Sequence, residues 1–163
     1  MIGENADDII SVVVIAQHQT KENAMYEVLT KYLNVIPSDE IGTWVIDTKS
    51  KGTADDPKRM PFVHYTEMAM AFIQDVHYFF DTYDGFELMK YREVLEANNI
   101  ELRDDLFTDE YVSKLDGKLV VALIVAVVRG ERFCDGLLHA YFKSGTIEKW
   151  LRRLAELDAE AGA

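Results

Sequence analysis

Apolar positions along most of this chain recur every three or four residues, the spacing that places them on one face of a helix. After Thr20, a helix start signal, Ala24, Met25, Val28, Leu29, Tyr32 and Leu33 keep that spacing. The run closes through Asn34 to Pro37, because a residue before proline avoids helical dihedrals. From Tyr65 to Thr82 the apolar residues cover most of the circumference, and Glu67, Gln74, His77 and Asp81 form one narrow polar stripe. That pattern predicts a helix buried on most sides. Tyr83, Asp84 and Gly85 supply a turn. Glu87 to Ala97 predicts a short helix with Leu88, Tyr91, Val94 and Leu95 inward, and Asp104 to Leu115 a short polar helix on the surface.

Leu119 to Val128 is an unbroken run of ten apolar residues, six of them valine or isoleucine. Such β-branched content favours a strand. The pattern nevertheless continues without a breaker from Gly117 to Val128, longer than a usual strand of about five or six residues. It therefore predicts a central buried helix, with Asp116 as its N-cap. Beyond Gly130, the spacing of Phe133, Leu137, Ala140 and Tyr141 predicts a helix from Glu131 to Lys143, and Gly136 inside it implies close backbone packing. Ser144-Gly145-Thr146 separates that helix from a last one, whose apolar stripe is Ile147, Trp150, Leu151, Leu154 and Leu157.

Two stretches lack this clarity. Ile9 to Ala16 is apolar and β-branched, and Asn5 or Asp7 as a cap tilts it towards helix. All three prolines fall between residues 37 and 64, an irregular loop segment with one apolar island, Trp44-Val45-Ile46, readable as a short strand or as a loop docked by its tryptophan. The predicted architecture is an all-α single domain over 1–163. It is a bundle of about six helices with one Pro- and Gly-containing loop segment and at most one short strand, residues 116–157 providing the central and C-terminal helices.

Composition narrows the function classes. The formal net charge is −12, which does not supply clustered cations globally for phosphate neutralisation, so bulk charge argues against a nucleic-acid partner; the local exception, Arg129, Arg132, Lys143, Lys149, Arg152 and Arg153 against Glu131, Asp135 and Glu148, reads as a solvated helical face. The longest apolar run is about half the roughly 20 residues that span a bilayer, and the first residues lack the positive region of a signal peptide. A lone cysteine, Cys134, makes no internal disulfide. These features predict a cytoplasmic protein without a membrane anchor.

The candidate chemistry is sparse. Arg132, Asp135 and His139 are spaced three and four apart, so on a continuous helix they share a face, with Arg129 and Glu131 beside them. This cluster can hold an anionic ligand or orient the imidazole as a base, or serve as a structural ion pair. The stripe His64, Glu67, His77 and Asp81 has carboxylate and imidazole spacings that suit a metal, but no second such motif accompanies it, so no metal and no cofactor is expected. Glycine-rich phosphate loops, paired-cysteine zinc motifs and nucleophile elbows are absent from the sequence.

The chain resembles a microbial family catalogued as domain of unknown function 6508. The resemblance rests on Met60-Pro-Phe-Val-His-Tyr65, on Tyr83-Asp-Gly85, on Arg129-Gly-Glu-Arg-Phe-Cys-Asp-Gly136, and on Ser144-Gly-Thr-Ile147 with Leu151-Arg-Arg-Leu154. The family-like positions are Tyr65, Arg132, Phe133, Gly136, Gly145 and Ile147, and the resemblance covers about Tyr26 to Leu157, which makes residues 1–25 an N-terminal addition. It implies a bacterial, archaeal or phage origin and no particular activity. The expected function is that of a non-catalytic interaction or regulatory protein whose partner is another protein, with homo-oligomerisation left open. The alternative is a small enzyme or ligand-binding protein with a polar pocket around Arg132.

Overall fold

The computed structural model describes residues 24–36, 40–84 and 88–163. The expectations for Ile9–Ala16, Thr20, Pro37, Gly85 and Glu87, and most of the N-terminal addition, lie outside them. In chain order the elements are α1 (Glu27–Thr30), passing into a 3-10 turn at Lys31–Asn34, then β1 (Gly42–Val45), β2 (Phe62–Tyr65), α2 (Glu67–Thr82), α3 (Tyr91–Ala97), α4 (Asp109–Val112), α5 (Gly117–Gly130), α6 (Leu137–Lys143) and α7 (Thr146–Ala161). The molecule is mostly helical, with one two-stranded sheet among the described residues.

The apolar run does form the central helix. The Asp116 carboxylate accepts a hydrogen bond from the Leu119 amide at 2.8 Å, capping α5, and every residue from Val120 to Val128 is buried. Fully burying a side chain the size of Ile124 or Leu123 stabilises the fold by about 1.5–3 kcal/mol each. A helix apolar all round needs neighbours on all sides, and α2, α3, α6 and α7 supply them. From α7 the buried stripe is Ile147, Trp150, Leu151 and Leu154, with Trp150 set edge-on to Phe107 at 5.0 Å. Two long-range bonds pin this helix. The Arg153 guanidinium donates to the Leu115 carbonyl at 3.0 Å, and the Asp158 carboxylate accepts from the Tyr26 amide at 2.9 Å.

Three expectations change. First, the island Trp44–Ile46 has a partner: β1 pairs antiparallel with β2, Trp44 opposite Val63 and Val45 opposite Phe62. Tyr65 thus ends a strand instead of starting a helix, and α2 begins at Glu67, where the Thr66 hydroxyl accepts from the Ala69 amide. Second, α2 buries one face only, Ala69, Phe72, Val76 and Phe79, while Met70 and Tyr78 are exposed. Third, the helix expected from Glu131 is shorter. Residues 131–136 form a turn, and Gly136 has φ +86°, a left-handed conformation that ends helical continuity. A Cβ on Gly136 would fall 2.3 Å from the Trp44 indole, so this glycine serves the approach of β1 and not of α5. No helix among the described residues is long and apolar enough to cross a membrane.

Candidate functional site

The turn between α5 and α6 is held by one carboxylate. Glu131 accepts from the Gly136 amide at 2.8 Å and from the Leu138 amide at 2.7 Å, one bond to each oxygen. The Tyr65 hydroxyl, from the end of β2, donates to Glu131 and accepts from the His139 amide at 3.2 Å. Burial, and then the bond to Glu131, push the Tyr65 phenol well above its ordinary range. Three amides at the start of α6 are thereby satisfied by one carboxylate and one phenol, and strand β2 is tied to the helix.

The shared face expected for Arg132, Asp135 and His139 requires an unbroken helix from Glu131, and residues 131–136 form a turn instead. The Arg129 guanidinium lies over the Phe80 and Tyr91 rings at 5.4 and 5.9 Å, packing α5 onto α2 and α3. Glu131 points inward as the latch. Arg132 and Asp135 are exposed and make no ion pair with a described residue. His139 is half-buried, its ring edge-on to Trp44 at 6.4 Å. In the polar stripe, Glu67, His77 and Asp81 are exposed along α2 and His64 is exposed on β2. Among the described residues no group of three His, Cys, Asp or Glu is placed to share a metal ion.

Two concavities flank the hairpin. Beside α6 is a cleft of about 380 Å³, with Ile36, Ile41 and Phe142 as apolar lining and Trp44, His139 and Lys143 around it. At the far end of the hairpin, beyond the last pair Val45–Phe62, the two legs separate around a groove of about 470 Å³ lined by Val45, Ile46, Met60 and Phe62 with Asp47, Lys49 and Arg59. Asp47 is the hub of that end. It accepts from the Lys49 and Ser50 amides at 3.1 and 3.0 Å through Oδ1 and from the Arg59 amide at 3.0 Å through Oδ2. The Ser50 side chain first, and then these amides, hold its carboxyl well below the usual carboxylate range.

The sequence pattern singled out neither Lys143 nor the second strand, and Tyr65 entered only as a family-like position. The available signal was Phe62-Val63-His64-Tyr65, β-forming residues after a proline, which become a strand once the Trp44 island offers something to pair with.

The sequence model of the Family of unknown function (DUF6508) matches residues 22–160, and the chain belongs to that family. No curated protein and no solved structure matches it.

Proposed function

We propose that this member of the DUF6508 family is a non-catalytic interaction protein, and that its recognition surface is the β1–β2 hairpin. One observation carries the reading. Five exposed large hydrophobic residues gather on this one small element: Trp44, Val45, Ile46 at 62% exposure, Met60 at 81% and Phe62. Phe133, 82% exposed, lies in the turn that receives Trp44. Trp44 packs on that turn, while Val45, Ile46, Met60 and Phe62 line one groove, and apolar groups left in water together are typical of a surface that another molecule covers. The charged residues nearby support the non-catalytic half of the reading, because Glu131 is spent on backbone amides and Arg132 stands apart from both concavities. An exposed thiol at Cys134 and the strong net charge suit a reducing cytoplasmic setting.

The test is capture from a lysate of the source cells by the wild-type chain and by an Ile46→Ser/Met60→Ser variant of unchanged melting temperature. A specific partner recovered by the former and lost by the latter is expected. Equal recovery by both, or none by either, ends the proposal.

The cleft between Trp44 and α6 favours a second reading, a small-ligand binding protein. Its volume is in the range of small-molecule sites, and an indole, an imidazole and an ammonium converge on an apolar lining. This moves the expected pocket from Arg132 to His139 and Lys143. A fragment screen by thermal shift is expected to give hits lost in Trp44→Ala, and hits indifferent to that substitution count against it.

A further inference from the structure

We propose that the groove at the end of the hairpin binds an extended segment of a partner protein in which acidic and apolar side chains alternate. This rests on the interaction reading above and adds the chemistry of the partner. Val45, Ile46, Met60 and Phe62 give the groove an apolar surface, and Lys49 and Arg59 stand at the same groove. Neither cation has an ion pair with a described residue. Asp47, which lines the same groove, has both oxygens engaged by three backbone amides and is also bonded by the Ser50 side chain, so it is built into the loop and forms no ion pair with a described residue. Asp56 is likewise drawn into the loop, accepting from the Lys51 amide at 3.0 Å.

Residues 47–59 carry Lys49, Lys51, Lys58 and Arg59 against Asp47, Asp55 and Asp56, a net +1 on a chain whose total is −12. This slightly positive loop therefore adjoins the exposed apolar cluster. A complementary ligand must bring negative charge and apolar groups together. An extended chain does so economically, since alternate side chains point to opposite sides. A second copy brings a further charge of −12 and an anionic bilayer many headgroups against the −12 of the chain, whereas a short segment brings only a few acids and sets them beside Lys49 and Arg59.

The experiment uses the full chain and a fluorescein-labelled octapeptide alternating aspartate and leucine, read by fluorescence anisotropy, with a lysine-for-aspartate peptide as the counterpart. Binding of the acidic peptide that weakens with added salt is expected, and a loss of roughly tenfold or more in Lys49→Glu/Arg59→Glu. That variant should keep the fold, because Arg59 holds Asp47 through its backbone amide and both side chains are exposed. Equal binding of the lysine peptide, or binding unmoved by the charge reversal, overturns the proposal. So does self-association in sedimentation that the reversal disperses, or binding to phosphatidylglycerol vesicles without binding to peptide. If neither peptide binds while lysate capture still depends on Ile46 and Met60, this inference fails and the interaction reading stands. If capture fails too, both fall.

Discussion

At the scale of single residues, Glu131 and Arg132 are adjacent and opposite in consequence. Glu131→Ala leaves the Gly136 and Leu138 amides and the Tyr65 hydroxyl without their acceptor. Hydrogen bonds to a charged group are worth about 1.5–3 kcal/mol, so a loss of about 2–3 kcal/mol is expected in urea unfolding. Tyr65→Phe should cost about 1 kcal/mol, and the double variant less than the sum, because the two side chains serve one junction. Arg132→Ala, at an exposed position without an ion pair to a described residue, should change stability by no more than about 0.5 kcal/mol. Gly136→Ala combines a positive φ with a Cβ placed against the Trp44 ring, and at least about 1–3 kcal/mol is expected from the backbone strain alone. Spacing placed Arg132, Asp135 and His139 together on paper. The turn at 131–136 and the left-handed Gly136 end the continuous helix that this spacing needs, and periodicity does not register that.

At the scale of elements, α5 and the hairpin show how differently local patterns translate. The run Leu119–Val128 was legible because its length and its Asp116 cap decide between helix and strand without help from the rest of the chain. Ile124→Ala, at a fully buried site on this helix, should cost about 2–5 kcal/mol by denaturant titration. The hairpin was half legible. Trp44–Ile46 carries a strand signal, but its partner lies across a loop, and pairing is a contact that neither strand specifies alone. The loop's order depends on Asp47, whose folded-state pKa lies below its unfolded value. Its contribution is therefore present above the unfolded value of about 4 and lost as the pH falls through the lowered folded value. Amide protection factors at Lys49, Ser50 and Arg59 should hold at neutral pH and drop in acid, and Asp47→Asn should show the drop already at neutral pH.

At the scale of the whole molecule, a charge of −12 on 163 residues makes the folded chain repel itself, and the cost is screened by salt. Its melting temperature should rise as ionic strength increases, read by circular dichroism. Family membership, the mostly helical architecture and the central place of α5 were all determined by the sequence on its own, because each depends on local periodicity, composition or a contiguous motif. The tertiary structure decided the rest. It brought Tyr65 from one segment and Glu131 from another to a shared set of amides, gave the Trp44 strand a partner, and turned Arg132 out into solvent while gathering Met60, Phe62 and Ile46 at one exposed end. These outcomes depend on which distant residues meet and on the dihedral of one glycine. A hydrophobic pattern states how much surface a segment must bury, but it does not name the segment that will cover it.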